Sequence, residues 1–263
     1  MGASIISLSF LLFFNRIMTD MVISTSLITY SIYSLNRITD MEEDASNIPE
    51  RVAFLENKKN VILLLSILSY IVALIMGAME NLWTMPIFLT PFIVGIIYSI
   101  KIASFRIKDI FGMKNISIAF SWAFSSAFLP YVFLPNVEEG FMVFFFLFIK
   151  CFVNTVVFDT RDMEGDKKAG ARTIPVVLGV RKTMLILLIA NSLLIPWTIF
   201  CYIHNFFVPY IPVIAFSIIY GYWYIIAFCR GKDRESKYNY DYLVDGEFII
   251  LFLFAFIIHI MIN

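Results

Sequence analysis

The sequence predicts an all-α protein that crosses a membrane several times. Of its 263 residues, 60% are hydrophobic, and the mean hydropathy is +0.83. Soluble domains are roughly 45–50% apolar. Several apolar runs approach or reach ~18 residues, the length that crosses a bilayer as a helix. Twenty basic and twenty acidic residues give a net charge of zero, so charge is segregated rather than absent. We therefore expect residues 1–263 to form a single transmembrane domain.

The apolar runs predict about nine transmembrane helices. Their expected boundaries are 2–15, 18–39, 60–79, 82–100, 115–134, 141–159, 183–203, 208–229 and 244–262. The first helix is too short to cross ~30 Å of hydrocarbon by itself. We expect this helix to be tilted, or the bilayer to be thinned beside it.

The basic residues predict the orientation of these helices. Every Lys and Arg except Arg16 and Lys150 lies in or beside the long connections that follow helices two, four, six and eight. Cytoplasmic loops of membrane proteins carry such an excess of positive charge. We therefore expect a multi-pass protein of the cell membrane in which these four connections face the cytoplasm.

The order of the loops repeats along the chain. Helices two and six each end in an acid-rich segment, and helices four and eight each end in a basic loop. This repetition predicts two pseudo-symmetric four-helix bundles around a central cavity, with a ninth helix added.

The most polar stretch of the chain directly follows the apolar run 141–158. Asp159, Asp162 and Asp166 are spaced so that they share one face of a helix. Three neighbouring carboxylates repel one another unless a cation lies between them, and oxygen ligands suit Mg²⁺. The alternative is a solvated loop in which these acids pair with nearby bases, namely Lys167, Lys168 and Arg172.

A second acidic motif makes the metal hypothesis stronger. Asn36, Asp40 and Asp44 follow an earlier apolar run at i, i+4, i+8 spacing. Both motifs lie on the same predicted side of the membrane, so they can face each other across a cavity. Two carboxylate clusters that coordinate Mg²⁺ can bind a diphosphate, because the diphosphate oxygens complete the coordination of the metal ions.

These motifs carry a family resemblance. The pattern Asn-x-x-x-Asp-x-x-x-Asp at 36–44 and the pattern Asp-x-x-Asp-x-x-x-Asp at 159–166 resemble the UbiA superfamily of intramembrane prenyltransferases. The segment Gly-Ala-Arg-Thr-Ile-Pro-Val-Val-Leu-Gly at 170–179 is also similar, as are 98–122 and 241–247. The chain departs from the family at Arg37, where many members have Asp, and in its very short first helix.

The resemblance implies a Mg²⁺-dependent prenyltransferase. The residues expected to bind the metal are Asp40, Asp44, Asp162 and Asp166, assisted by Asn36 and Asp159. The cations expected to neutralise the departing diphosphate are Arg51, Lys101, Arg106 and Arg172. Lys101 resembles the family's diphosphate-contacting lysine, and with the four metal-binding aspartates it forms the expected catalytic set. The alternative for these cations is ordinary loop charge that contacts anionic lipid.

The implied reaction is allylic ionisation, in which metal and basic groups stabilise charge on the departing diphosphate. An intramembrane cavity protects the carbocation from water, and aromatic faces can stabilise it. The aromatic candidates are Tyr30, Tyr33, Tyr98, Trp122 and Phe158, each of which could instead pack or face lipid.

Two further groups of polar residues are notable. Lys150 and Asn154 lie inside predicted helix six, where a charge is expensive and indicates a functional site. They are expected to bind an acceptor, unless Lys150 snorkels to the outer interface. Asp241 and Asp245 precede the last helix, and we interpret them as ordinary helix caps. The family resemblance hints instead that their loop closes over the site.

We therefore predict transfer of a prenyl group from an isoprenoid diphosphate to a lipophilic acceptor. The acceptor classes left open are a quinone-precursor ring, a tetrapyrrole and a glycerol-phosphate ether lipid. The alternatives are a terpene cyclase of the same fold, a transporter and a non-catalytic scaffold. A transporter's charged site should lie near the midplane, whereas these acids cluster at helix ends. The expected partners are the two substrates and the bilayer, with neither nucleic acid nor an obligate protein partner.

Overall fold

A computed structural model describes residues 1–39, 41, 49–99, 110–168, 170–230 and 237–263. The described part of the chain is helical almost throughout and contains no strand. Its helices are α1 (Gly2–Phe14), α2 (Thr19–Thr39), α3 (Pro49–Glu80), α4 (Thr84–Ser99), α5 (Met113–Tyr131), α6 (Val137–Lys168), α7 (Ile174–Leu178), α8 (Val180–Ser192), α9 (Leu194–Ile203), α10 (Ile211–Arg230), α11 (Lys237–Leu243) and α12 (Gly246–Ile262). A short 3₁₀ helix, Val208–Tyr210, precedes α10.

The predicted all-α membrane fold is confirmed, with differences at helix ends. Within the described residues, five segments are long and apolar enough to cross a membrane: Val52–Glu80, Val137–Lys168, Val180–Ile203, Val208–Arg230 and Tyr240–Ile262. α6 continues to Lys168 rather than ending at 159, so the whole second acidic motif is helical. The predicted helix 183–203 is divided at Leu193 into α8 and α9. Pro196 explains this break, because proline has no N–H to donate to the carbonyl four residues earlier.

The helices form two groups that meet at a seam. α2, α3, α4 and α5 pack together in the first group, and α6, α8, α9, α10 and α12 pack in the second. α5 lies against α6 along the seam. α1 contacts α2 and α5 on one side and α6 and α12 on the other, so it lies between the groups.

α1 is enclosed by the other helices. The helix is buried along nearly its whole length, and Ile5, Ile6 and Phe10 are completely inaccessible. Ile6 and Phe10 belong to the core of the first group, whereas Ile5 belongs to the core of the second. A helix that is apolar all round is suited to a site surrounded by protein. Other helices therefore shield α1 from the bilayer, while its expected tilt, or a thinning of the bilayer beside it, stays a prediction.

Contacts at both ends hold α1 in place. A Cβ atom at Gly2 would overlap the Thr29 hydroxyl of α2, so glycine permits the close approach of these helices. At the other end, Asn15 adopts a left-handed conformation with φ of 49° and ends the helix. Its side chain accepts a hydrogen bond from the Tyr210 hydroxyl and contacts His259 of α12 at 2.9 Å. These contacts tie α1 to the second group.

Candidate active site

A cavity of about 230 Å³ lies between α2, α4 and α5. Asn36 and Lys114 line its polar mouth, and Phe88 and Leu129 line its apolar depth. The lining of α5 extends from Lys114 to Leu129, which corresponds to ~22 Å along a helix. The length and lining of this cavity therefore suit an amphipathic molecule with a polar head and a long apolar tail.

Asp159 fixes a cation at this mouth. Lys114 Nζ donates to Asp159 Oδ1 at 2.9 Å, and Asn115 Nδ2 donates to Asp159 Oδ2 at 2.8 Å. Asp159 is 3% exposed, and Asn115 is fully buried. Because both carboxylate oxygens accept these bonds, Asp159 anchors Lys114 in the structure, whereas the sequence predicted that it would assist metal binding.

Sequence reasoning did not assign a role to Lys114. The lysine lies in the first turn of α5, where the helix dipole already favours an anion. Its side chain lines the cavity mouth and is 33% exposed. A basic residue in the first turn of a helix that follows a basic loop was a signal that could have identified it.

The other two aspartates of the second motif differ in their surroundings. Arg161 binds both oxygens of Asp162, with Nε to Oδ1 and Nη2 to Oδ2 each 2.9 Å. Asp166 Oδ2 is buried and has no hydrogen-bond partner within the described ranges. The charges of Lys114, Asp159 and Asp162 all act on the Asp166 carboxyl. The partners seen for Asp159 and Asp162 are thus Lys114, Asn115 and Arg161, rather than the loop bases of the solvated-loop alternative.

The chemistry of this motif fits a divalent cation, although it is incomplete alone. Asp166 offers a buried oxygen that lacks a partner among the described residues, and carboxylate oxygens are the ligands that Mg²⁺ prefers. Within the part of the chain that is described, no three Asp, Glu, His or Cys side chains are grouped to hold a metal ion. Asp40 and Asp44, which were expected to supply the remaining ligands, lie outside the described residues.

The remaining predicted residues at this end are placed as follows. Asn36 is an exposed residue of the last turn of α2 and lines the mouth, so it faces the same cavity as Lys114. Arg172 is exposed in the connection between α6 and α7. Lys101 and Arg106 lie outside the described residues, as does the side chain of Arg51.

Lys150 neither lines the cavity nor snorkels. It is fully buried, with its Nζ atom 2.5 Å from Glu247 Oε1 and 3.1 Å from the Ser217 carbonyl oxygen. The nearby Asn154 donates to Asp245 Oδ1 at 3.1 Å. A charge enclosed in a membrane protein is tolerated when it is paired, and Glu247 supplies that partner. These contacts place both residues against α12 and its preceding turn, and neither lines the cavity between α2, α4 and α5. Their contact with an acceptor stays a prediction.

The interpretation of Asp241 and Asp245 as ordinary helix caps is also wrong. Asp245 occupies the N-cap position of α12, yet it makes no capping hydrogen bond there and accepts from Asn154 instead. Asp241 Oδ1 accepts from Arg161 Nη1 at 3.2 Å. Both acids therefore hold the turn before α12 against α6.

Comparison with known proteins decides the family. Residues 5–243 match the UbiA prenyltransferase family. The chain belongs to this family. Digeranylgeranylglyceryl phosphate synthase of Methanobrevibacter smithii is 26% identical over 232 residues, which cover 84% of this chain and 80% of the relative. The protein of the same name from Methanosphaera stadtmanae is 26% identical over 228 residues, with 84% and 80% covered.

A solved structure agrees with the fold of this UbiA-family prenyltransferase. It comes from structural and mechanistic work on digeranylgeranylglyceryl phosphate synthase in membranes. The TM-score is 0.65 at 20% sequence identity, and the match covers 98% of this chain and 93% of the other. At this identity the likeness shows the fold alone.

Two of the predicted aromatic residues of the prenyltransferase line its cavity. Tyr33 of α2 and Trp122 of α5 have ring centroids 6.1 Å apart, so they approach each other across the space between these helices. Phe158 instead packs against Tyr240, with ring centroids 6.1 Å apart, and belongs to a different surface of α6. Tyr30 is 42% exposed, and the side chain of Tyr98 lies outside the described residues.

Proposed function

We propose that this UbiA-family enzyme transfers a prenyl group from an isoprenoid diphosphate to the free hydroxyl of a prenylated glycerol phosphate. The observation that carries the proposal is the cavity between α2, α4 and α5, because a cationic mouth leads into an apolar interior. The names of the relatives support a glycerol-phosphate acceptor over a quinone-precursor ring or a tetrapyrrole.

The head group of the donor binds at the mouth in this proposal. Lys114, held by Asp159, neutralises part of the charge that develops on the diphosphate as its bond to carbon breaks. Asp162 and Asp166, together with Asn36, Asp40 and Asp44, would hold Mg²⁺ there. A bound Mg²⁺ supplies a Lewis acid that stabilises the leaving diphosphate.

The tail of the donor lies in the apolar interior, and the reaction takes place just below the mouth. Trp122 lies two helical turns deeper than Lys114 along α5, beside Tyr33. The two ring faces can stabilise an allylic cation electrostatically, and the surrounding apolar wall excludes water. The acceptor oxygen then forms a bond to the allylic carbon, and its proton leaves with the diphosphate.

The proposed site opens to the cytoplasm. The basic connections predict this orientation, and the Asn36–Lys114 mouth lies at the same end of the helices as the connection after helix two. Soluble diphosphate precursors and Mg²⁺ would then reach the mouth from the cytoplasmic side.

The test is a transfer assay with purified protein in detergent. The donor is geranylgeranyl diphosphate, and the acceptors are geranylgeranylglyceryl phosphate, a quinone-precursor ring and no acceptor, each with and without Mg²⁺. We expect Mg²⁺-dependent diphosphate release and an ether product only with the glycerol phosphate. A prenylated aromatic product would contradict the proposed acceptor, and a cyclic hydrocarbon formed without acceptor would establish the cyclase alternative.

A further inference from the structure

A second side of α6 packs against the segment that precedes and begins α12. Four of its side chains meet the segment 240–247, which comprises the end of α11 and the start of α12: Lys150, Asn154, Phe158 and Arg161. Their spacing places them along one side of the helix. The contacts continue from the buried interior to the acidic motif, so this segment is attached to α6 at several levels.

Arg161 is the last of these four residues along α6, and it contacts both the acidic motif and the segment 240–247. Its guanidinium forms a two-bond fork with Asp162 and donates a third bond to Asp241. The guanidinium carbon also lies 4.8 Å from the Phe158 ring centroid and 5.6 Å from the Tyr240 ring centroid. The side chain of Arg161 is only 12% exposed. Two rings and two carboxylates therefore fix this cation beside a proposed metal ligand.

We propose that Arg161 serves as the resident counter-ion of Asp162 and exchanges this carboxylate for the diphosphate. The inference rests on the proposed function, since it assumes that Asp162 binds a divalent cation. In the present arrangement both Asp162 oxygens accept hydrogen bonds from Arg161, so the guanidinium occupies one lone pair of each oxygen and weakens the binding of a metal ion to this carboxylate. The Asp241 carboxylate and the two rings keep the released cation beside the acidic motif of α6.

This exchange predicts that metal and diphosphate help each other to bind. Without diphosphate, Arg161 competes with the metal ion for Asp162. When diphosphate is present, the released guanidinium gains an anionic partner, and planar guanidinium groups are well suited to phosphate oxygens. A coupling of this kind is reciprocal, so each ligand increases the affinity for the other by the same factor.

The experiment measures Mn²⁺ binding by electron paramagnetic resonance on the full-length protein in detergent, with and without saturating inorganic pyrophosphate. The ratio of the two Mn²⁺ dissociation constants is the coupling factor. For Arg161→Met we expect Mn²⁺ to bind about fivefold more tightly without pyrophosphate, as expected from loss of a partly exposed pair of ~1 kcal/mol. The coupling factor should fall by a similar ratio. Arg161→Lys keeps the charge but not the two-bond fork. Its Mn²⁺ affinity and its coupling factor should lie between those of wild type and those of Arg161→Met.

The control is Arg181→Met, which removes an exposed arginine from the first turn of α8. It should leave both dissociation constants unchanged. If Arg161→Met and Arg161→Lys keep the wild-type coupling factor while Asp162→Asn weakens Mn²⁺ binding, the inference fails and the proposed metal site stands. If Asp162→Asn binds Mn²⁺ as tightly as wild type, both the metal site and this inference fail. Arg161→Lys provides the answer should Arg161→Met not fold.

Discussion

Substitutions in the buried ion pair Lys150–Glu247 test whether this part of α6 stabilises the fold or binds the acceptor. Both side chains are completely inaccessible, and the charged atoms are 2.5 Å apart. Glu247 Oε1 also accepts a hydrogen bond from the Ser217 hydroxyl at 3.0 Å, and the Lys150 ammonium lies 5.4 Å from the Tyr224 ring centroid. Replacing one charge by a neutral residue of similar size leaves the other charge enclosed without its partner.

The expected magnitudes follow from this burial. Removing one partner of a buried ion pair costs about 3–5 kcal/mol, whereas neutral replacement of both partners is often nearly neutral. We expect Glu247→Gln and Lys150→Met each to lower the free energy of unfolding by about that amount. The double variant should lie within about 1 kcal/mol of wild type, because no unpaired charge is left. Lys182→Met, at an exposed position of α8, is the matched control.

The assay is equilibrium unfolding in mixed detergent micelles, combined with the transfer assay on the same preparations. Neither Lys150 nor Glu247 lines the cavity, so the double variant should still form product. Single-variant losses that simply add in the double variant would refute the reasoning about the pair. A stable double variant without product formation would instead support the original prediction that Lys150 contacts the acceptor.

Three further predictions concern the cavity and α1. Lys114→Met should lower kcat/KM for the diphosphate donor about 10–100-fold, the loss expected for a charged hydrogen bond of ~1.5–3 kcal/mol, while Lys182→Met should not. Trp122→Ala should lower kcat about tenfold through loss of ~1–2 kcal/mol of cation stabilisation, whereas Trp122→Phe should keep most of the wild-type kcat. Gly2→Val should lower the free energy of unfolding by about 1–3 kcal/mol, because the added side chain would overlap Thr29 of α2.

These three predictions can each fail in a recognisable way. Wild-type donor kinetics in Lys114→Met would remove the lysine from the diphosphate site. Equal kcat losses in the alanine and phenylalanine variants would indicate that Trp122 acts by shape rather than through its aromatic face. An unchanged unfolding free energy for Gly2→Val would show that α1 and α2 can separate without cost, contrary to the packing described above.

The sequence by itself determined the fold class and the family of this protein. Long apolar runs can satisfy their backbone hydrogen bonds in a bilayer only as helices or closed barrels, and runs of this length indicate helices. The spacing of Asp159, Asp162 and Asp166 indicated that they would share one face if helical, since helical periodicity is a local property, although the helix was expected to end at 159 and in fact continues to Lys168. The identity of the family also followed from these local motifs and is confirmed over residues 5–243.

The tertiary structure alone decided which partner each charge has. The pairing of Lys150 with Glu247, and of Asp159 with Lys114, joins helices that are far apart in the sequence. Hydropathy likewise could not show that α1 lies between the two helix groups rather than against lipid, because lipid and a protein core are equally apolar surroundings. Partner choice and burial depend on how helices pack against one another, which local composition and periodicity do not specify.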